Sequence, residues 1–288
     1  MTHELSVVVE ADHRVGEGPL WHPDEKALYH VDIVTGRLFR YDPNTGEDTL
    51  VFDSEKQLGG FTIQEDGSFL LFMEGGAIAA WDGTELTYVV EEIPRERESR
   101  FNDVIADPEG RVYAGTMPTD DQLGRLYCIK RDGTYELADE HGFDTPNGMG
   151  YTLDYETMYV TESGAHTIYA YDYDRTTGTL SNRRPFVALD TPGAIPDGMT
   201  VDADGYVWSG LWNGHAVVRY DTAGNEVDRI PVPAPKASSV TFGGDTYEDL
   251  YITTAKGHDA EDDPPAGSVF RTEPGVQGRE EFRSNIVI

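Results

Sequence analysis

A pair of small or polar residues recurs along the chain and opens an apolar segment each time. The pairs begin at Glu17, Gly59, Asn102, Asn147, Asp197 and Ser238, at successive spacings of 42, 43, 45, 50 and 41 residues. Self-similarity at a period of about 20 to 50 residues is typical of repeat arrays and propellers. Six such units account for nearly all of the 288 residues, so the repeat constrains the whole fold.

The segments inside each unit are typical of β-strands. Residues 27–32, 111–115 and 206–209 are short and rich in aliphatic and aromatic side chains, with apolar and polar positions alternating. Asp, Pro and Gly occupy the turns between such segments, as at 107–110, because these residues adopt turn conformations readily. No segment keeps a helical period over three turns, so the pattern indicates strands.

Four-stranded units at this period predict an all-β fold, a six-bladed β-propeller around a central channel, as a single domain over residues 1–288. Residues 5–10 are strand-like and precede the first unit, so we expect them to form the outer strand of the last blade and close the ring. A solenoid or a two-sheet sandwich is the alternative, but a sandwich need not show sixfold repetition. The Pro- and Asp-rich segment 257–265 is predicted to be a surface loop of the last blade.

Acidic residues outnumber basic ones throughout the chain. The 53 Asp and Glu against 22 Lys and Arg give a formal net charge of -31. This charge repels nucleic-acid phosphates and anionic lipid surfaces, so neither is expected as a partner. Self-repulsion of this size is screened at molar salt, which predicts a halophilic protein, with an acidic enzyme from a low-salt cell as the alternative. Because the first residues lack a basic and apolar targeting segment, a cytoplasmic location is predicted.

Equivalent positions of a propeller repeat meet around one end of the central channel. Four of the six pairs open with a side-chain oxygen: Glu17, Asn102, Asn147 and Asp197. Two carboxylates and two carboxamides suit a hard divalent cation such as calcium, magnesium or manganese, with zinc as a further candidate. The eight histidines are scattered and Cys128 is the single cysteine, so no nitrogen or sulfur cluster competes. The alternative is that these pairs are ordinary turn dipeptides and that Glu17 is a surface acid.

One basic residue stands next to this predicted cluster. Arg100 lies two positions before Asn102, and strand alternation places both side chains on the same side. Arg100 can therefore direct its guanidinium group at a substrate oxygen, although a solvated charge or a salt bridge is an equal alternative. The sequence contains no Gly-x-Ser-x-Gly elbow, no His-Glu-x-x-His motif and no Walker loop.

Several longer motifs together resemble one known family. They are Gly-Glu-Gly-Pro-Leu-Trp at 16–21, Arg-Phe-Asn-Asp at 100–103, Gly-Thr-Met at 115–117, Pro-Asn-Gly at 146–148 and Pro-Asp-Gly-Met at 196–199. Segments 238–244 and 250–255 extend the match over essentially the whole chain. This set resembles the senescence marker protein 30/gluconolactonase family, also described as SMP-30/gluconolactonase/LRE-like, and within it a sugar lactonase of haloarchaeal type.

The resemblance implies a six-bladed propeller that holds one divalent cation, calcium, magnesium, manganese or zinc, and hydrolyses a sugar lactone to an aldonic acid. By the matching motifs, the metal ligands would be Glu17, Asn147 and Asp197. Asp197 would also be the general base, with a metal-bound hydroxide as the alternative. Arg100 and Asn102 would bind the lactone.

The segment 118–123 corresponds to part of the substrate mouth in relatives, which implies that Asp120 and Asp121 contact the substrate. Val104 stands where the family often has Gly, and Glu162 where it often has Asp, so the sequence departs from the family pattern near the substrate. Neither departure affects the implied metal ligands. We therefore expect these differences to change the shape of the substrate that fits, and not the reaction.

Three functions remain open at this point. The first is hydrolysis of a pentono- or hexono-1,4/1,5-lactone in oxidative sugar catabolism, downstream of an aldose dehydrogenase. The second keeps the same site but acts on other esters or on phosphotriesters, as an esterase/phosphotriesterase-like propeller hydrolase. The third is a non-enzymatic scaffold that binds a divalent cation. The sequence shows no helix-rich extension, so a monomer or a weak homodimer is predicted.

Overall fold

Strand-forming segments follow one another along almost the entire chain. The computed structural model describes residues 3–256 and 265–288, and these contain 24 β-strands in six four-stranded antiparallel sheets. Helical structure in this part of the chain is confined to two three-residue 3-10 turns, Ile33–Thr35 and Pro94–Glu96. No helix in the described residues is both long and apolar enough to cross a membrane.

The strands are numbered in chain order. The first strand is β1 (Ser6–Val9). Blade 1 contains β2 (Gly16–His22), β3 (Ala27–Asp32), β4 (Arg37–Asp42) and β5 (Glu47–Asp53). Blade 2 contains β6 (Leu58–Ile63), β7 (Phe69–Met73), β8 (Ile78–Trp81) and β9 (Leu86–Val90). Blade 3 contains β10 (Phe101–Ala106), β11 (Val112–Thr116), β12 (Gly124–Ile129) and β13 (Tyr135–Phe143).

The remaining three blades follow the same order. Blade 4 contains β14 (Pro146–Tyr151), β15 (Thr157–Glu162), β16 (Thr167–Asp174) and β17 (Thr179–Ala188). Blade 5 contains β18 (Ile195–Val201), β19 (Val207–Trp212), β20 (Ala216–Tyr220) and β21 (Glu226–Pro231). Blade 6 contains β22 (Ala237–Gly243), β23 (Asp249–Thr254) and β24 (Val269–Thr272), with β1 as its fourth strand.

The six blades form a ring. The innermost strands of consecutive blades contact one another, and β2 of blade 1 also contacts β22 of blade 6. This arrangement confirms the predicted six-bladed β-propeller. The outer strands are more exposed than the inner ones: β14 is buried at every position, whereas β17 of the same blade is mostly exposed.

The predicted ring closure is also confirmed. Strand β1 pairs antiparallel with β24, with Ser6 opposite Arg271 and Val7 opposite Phe270. Val9 is buried and packs in a cluster with Trp21 and Leu28 of blade 1. The first strand therefore joins blade 6 and packs against blade 1. Residues 257–264 of the predicted surface loop lie outside the described residues, so that prediction is untested.

Glycines in the opening pairs allow the inner strands to approach closely. A Cβ atom on Gly59 would collide with the carbonyl group of Phe101 on the next blade. A Cβ atom on Gly148 would collide with the backbone at Met199 in the same way. Only glycine avoids these contacts, because it has no Cβ atom. The glycines of the repeat thus reflect packing between neighbouring blades.

A narrow channel lies at the centre of the ring, between the inner strands of the six blades. Its free volume is about 70 Å³, and Asp103, Thr62, Ser239 and Thr241 are among the polar residues that line it. The C-terminal segment covers this end of the ring through Glu281, whose Oε1 accepts a hydrogen bond of 2.7 Å from Thr200 Oγ1, and through Phe282. Ser284 N donates to Ile63 O over 2.9 Å, which fixes the segment to blade 2.

Candidate active site

A cavity of about 490 Å³ lies where the inner strands begin. Five residues predicted from the sequence line it: Glu17, Arg100, Asn102, Asn147 and Asp197. They come from blade 1, blade 3, blade 4 and blade 5, so the fold brings together residues that are up to 180 positions apart in the chain, as Glu17 and Asp197 are. Gly59 and Ser238, the other two pair positions, do not line this cavity.

Each of the four oxygen-bearing positions coincides with an irregularity in its strand. The pairing register shifts between Glu17 and Leu20 in blade 1 and between Phe101 and Val104 in blade 3. Equivalent shifts follow Pro146 in blade 4 and Pro196 in blade 5. A bulge re-aims a side chain away from the regular alternation. The same shift occurs in blades 2 and 6, so it is a property of the repeat, and the four residues that carry a side-chain oxygen at this position share one cavity.

The three predicted metal ligands are buried. Glu17 and Asp197 are each 4% exposed and Asn147 is 6% exposed. Glu17 Oε2 accepts a 3.0 Å hydrogen bond from the backbone N–H of Gly18. Asn147 Nδ2 donates to Ser163 Oγ over 3.1 Å, which leaves Asn147 Oδ1 buried without any hydrogen-bond partner.

A bond from the next blade holds the Asn147 amide in this orientation. Ser163 Oγ, which accepts from Asn147, donates its own proton to Pro196 O over 2.7 Å. Because the hydroxyl proton is engaged there, Ser163 can only accept from the amide nitrogen. The Asn147 side-chain oxygen is thereby the free group, and a buried acceptor without a partner is unusual unless an unseen ligand satisfies it.

The carboxylates of the site repel one another in a poorly solvated environment. Burial raises the pKa of Glu17 well above its usual range, and the negative charges of Asp197 and Asp103 raise it further. Burial likewise raises the pKa of Asp197, and the negative charge of Asp103 raises it further. A hydrogen bond with the Asn147 side chain lowers the pKa of Asp197. Burial raises the pKa of Asp103 itself to about 7.

The single guanidinium group of the site does not neutralise these acids. Burial lowers the pKa of Arg100 to about 10, and the charges of Glu17 and Asp103 oppose that shift. Arg100 therefore remains protonated at neutral pH, and its charge acts on all three carboxyl groups. A divalent cation would supply further positive charge and would satisfy the free oxygen of Asn147. The donor set of two carboxylates and one amide oxygen fits such a cation.

Arg100 and Asn102 form a rigid pair at the wall of the cavity. Arg100 Nη1 donates to Asn102 Oδ1 and to the backbone oxygen of Phe101, both over 2.8 Å. Asn102 Nδ2 donates to Pro146 O over 3.1 Å. Because Pro146 directly precedes Asn147, this chain of bonds fixes the two predicted substrate-binding residues relative to a predicted metal ligand.

Other residues of the cavity were not found from the sequence. Ile33, Met117 and Trp212 form apolar parts of the wall, and Lys236 lies with its Nζ 5.3 Å from the centre of the Trp212 ring. Asn213 follows Trp212 in the left-handed conformation, with φ of 58°. The Asn-Gly dipeptide at 213–214 is a turn signal at a strand end, and it is the one sequence feature that marks this part of the wall.

Asp120 and Asp121 occupy a different position from the other predicted substrate-binding residues. Both are exposed and border a surface groove beside Arg95 and Arg97, and neither lines the cavity. Their loop leaves the cavity at Met117, whose backbone N–H donates to Arg100 O over 2.9 Å. Contact of these two acids with the substrate stays a prediction.

Known proteins are similar to this chain over nearly its full length. The family model described as the SMP-30/gluconolactonase/LRE-like region matches residues 15–256. Pentonolactonase XacC of Haloferax volcanii is 47% identical to this chain, over 97% of both proteins. Regucalcin of Xenopus laevis is 32% identical, over 96% of both proteins.

A solved structure shows the same architecture. The structure of a luciferin-regenerating enzyme superposes with a TM-score of 0.91 at 28% identity, covering 99% of this chain and 100% of that one. The family model, the relatives and the solved structure all match the part of the chain that carries the cavity residues. The chain therefore belongs to the SMP-30/gluconolactonase/LRE-like family.

Proposed function

We propose that this protein is a hydrolase that opens a sugar lactone to the aldonic acid, with a pentonolactone as its substrate. The observation that carries the proposal is the meeting of Glu17, Asn147 and Asp197 with the Arg100–Asn102 pair in one cavity. The name of the Haloferax relative, a pentonolactonase at 47% identity, supports a five-carbon sugar over a six-carbon one.

Glu17, Asn147 and Asp197 would hold one divalent cation in this proposal. The cation would act as a Lewis acid that polarises the lactone carbonyl. The all-oxygen donor set favours calcium, magnesium or manganese over zinc, because hard cations prefer oxygen ligands. The negative charge of Glu17, Asp197 and Asp103 supports this assignment.

Arg100 and Asn102 would bind and orient the lactone. The Arg100 guanidinium group carries donors that can bind substrate oxygens, and its bond to Asn102 fixes the direction in which it points. Donors that are already aligned stabilise the negative charge that develops on a carbonyl oxygen without reorganising. Trp212 and Ile33 would pack against the carbon side of the ring.

Asp197 would accept a proton from the attacking water. The water oxygen forms a bond to the carbonyl carbon, the bond between that carbon and the ring oxygen breaks, and the ring oxygen takes a proton to become a hydroxyl group. Burial raises the pKa of Asp197 in the cation-free protein, and a bound cation would lower it again, so Asp197 would act through its position beside the attacking water. The product is a single open-chain aldonic acid, which carries both the new carboxyl group and the released hydroxyl group.

The proposal is tested by initial-rate hydrolysis of a panel of pentono- and hexonolactones, together with aryl esters and a phosphotriester. The protein is first stripped with a chelator, and single divalent cations are then added back. We expect activity to return with a hard divalent cation and kcat/KM to be highest for a pentonolactone. Assays at about 0.1 M and 2 M KCl test the proposed salt adaptation, for which we expect higher activity at the higher salt concentration.

Three results would change the assignment. A preference for aryl esters or the phosphotriester would favour the second hydrolase function. A folded protein that hydrolyses nothing with any cation would favour the scaffold. A higher kcat/KM for a hexonolactone would leave the lactonase in place and correct the substrate. The cytoplasmic location, the monomeric or weakly dimeric state and the absence of nucleic-acid and membrane partners stay predictions from the sequence.

The role of Arg100 can be tested by the substitution Arg100→Lys. Lysine keeps the positive charge but loses the planar fork of donors, so it cannot bind Asn102 and the substrate in the same geometry. Losing one hydrogen bond to a charged group costs about 1.5–3 kcal/mol, so we expect kcat/KM to fall roughly 10- to 100-fold. Steady-state kinetics on the preferred lactone measure this loss.

Arg97→Lys is the matched control, because Arg97 is exposed and pairs with Glu92 on the surface. We expect its kinetics to equal those of the unmodified protein. If Arg100→Lys also hydrolyses the lactone at the unmodified rate and KM, the guanidinium group does not bind the substrate.

A further inference from the structure

A second group of metal-binding side chains lies outside the central cavity. One ligand atom from each of His13, His30 and Asp48 falls within 4.8 Å of the others. The distance from His30 Nε2 to Asp48 Oδ1 is 2.9 Å, and the ring centres of the two histidines are 5.2 Å apart. The sequence showed histidines that are scattered along the chain, and folding brings these two together.

These residues join different parts of the ring. His30 lies on β3 and Asp48 on β5, both in blade 1. His13 lies in the connection from β1 of blade 6 to β2 of blade 1. Its backbone N–H donates to Gly267 O over 3.3 Å, which ties it to blade 6. The cluster thus lies where the last blade meets the first.

Both imidazole rings hold nitrogen atoms that lack a partner. His13 is 6% exposed and its Nε2 makes no hydrogen bond, while His30 is fully buried and its Nδ1 makes none. Most buried polar atoms are hydrogen-bonded, so the unpartnered Nε2 of His13 requires an explanation. Asp48 is 18% exposed, which gives an ion a route from solvent to the cluster.

The surroundings hold the two imidazole rings in place. Phe39 packs against both imidazoles, with ring centres 4.7 Å from His13 and 5.4 Å from His30. The packing of Phe39 against both rings therefore leaves the ligand rings little freedom to move.

Two imidazoles and one carboxylate are the ligands that zinc and similar transition metals prefer. Zinc binds such nitrogen and oxygen atoms at about 2.0–2.2 Å, which in a tetrahedral site places neighbouring ligand atoms roughly 3.4 Å apart. The ligand atoms here are between 2.9 and 4.8 Å apart, so small side-chain movements produce that geometry. This donor set differs from the all-oxygen set of the central cavity.

We propose that His13, His30 and Asp48 bind one divalent transition-metal ion that fastens the connection between β1 and β2 to blade 1. The ion replaces the proton shared between His30 and Asp48 and adds His13 as a third ligand. Its effect is structural: it connects the segment that follows β1 to two strands of blade 1. The competing explanation is a hydrogen bond between His30 and Asp48 with His13 packed on Phe39 and no ion.

The test measures zinc binding and thermal unfolding of the full chain after chelator treatment. We expect the unmodified protein to bind zinc at this site and to show a higher Tm with zinc. Outer-sphere changes already weaken metal sites about 10- to 100-fold, so we expect loss of a ligand in His13→Gln to weaken zinc binding by at least about 100-fold. The zinc-induced rise in Tm should disappear with it.

Further variants separate this site from the central cavity and from misfolding. Asp48→Asn changes a partly exposed residue and should also lose the zinc-induced rise in Tm. His141→Gln is the control, because the His141 side chain is 71% exposed and lies outside the cluster. In an Asp197→Asn background, His13→Gln should still remove one zinc equivalent.

Two results would overturn the proposal. One is zinc binding of the same stoichiometry and affinity in the unmodified protein and in both His13→Gln and Asp48→Asn. The other is that His13→Gln removes no zinc binding from the unmodified protein, and that the unmodified protein has the same Tm with and without zinc.

Discussion

We expect Asp197→Asn to lower the kcat of lactone hydrolysis by about 10³-fold and to leave the protein folded. A positioned general base contributes about 10²- to 10⁴-fold to a rate, and the amide of asparagine cannot accept the proton. The substitution keeps the size of the side chain and removes one of three carboxyl groups that repel one another in the site. We therefore expect the Tm of the cation-free variant to equal or exceed that of the unmodified cation-free protein. Initial rates at saturating lactone and cation, with a Tm for each variant, measure both effects.

Asp190→Asn makes the same chemical change on the surface, at an exposed residue between β17 and β18, and should leave kcat unchanged. An Asp197→Asn variant that binds the cation and turns over near the unmodified rate would remove Asp197 from the reaction. A variant that fails to bind the cation and is inactive would be consistent with its proposed role as a ligand. Comparing cation binding with kcat separates these two roles.

The stability of the cation-free protein should fall as the pH rises. The pKa of Glu17, Asp103 and Asp197 is raised above the usual range in the folded state, so folding favours their protonated forms. Stability from a raised pKa is fully present below the unfolded pKa and is lost as the pH rises through the folded pKa. With the pKa of Asp103 at about 7, we expect the Tm to decrease steadily between about pH 4 and pH 8.

A bound divalent cation should remove most of that decrease, because it compensates the charges that ionisation creates. The increase in Tm on adding the cation is therefore expected to be small at pH 5 and large at pH 8, as measured by calorimetry of stripped and reloaded protein at one high salt concentration. Asp197→Asn lacks one of the three acids and should show a shallower dependence on pH. A cation effect of equal size at every pH would contradict the electrostatic explanation.

The fold could be predicted because its determinants repeat. Six opening pairs at nearly equal spacing specify six units. Residues 5–10 precede these units, and the edge of the last blade was the position left for them; there β1 pairs with β24. The turn residues and alternation then specify the strands of each unit. Repetition makes such a fold predictable from sequence, because the strands assigned in one unit support the assignment of strands in the others.

The site was only partly predictable because its walls depend on contacts between blades. Ser238 occupies a pair position, but its Oγ donates to Gly16 O over 2.5 Å and so serves packing between blades 6 and 1. Trp212 and Lys236 meet across two blades, and nothing in the repeat marks either one. His13 and His30 do not occupy equivalent repeat positions, so their meeting depends on how the ring closes.

The pairing of the first strand with the last also determines the order in which the molecule can be completed. During synthesis β1 emerges first, but its partner β24 is made only when more than 260 further residues have followed, since Ser6 lies opposite Arg271. Contacts between such distant residues form slowly because a long loop must close before they provide any stabilisation. The earlier blades can assemble on their neighbours while β1 is still without its partner strand. Closure is therefore a late event, and until it occurs the nascent chain exposes two strand edges that can pair with another copy.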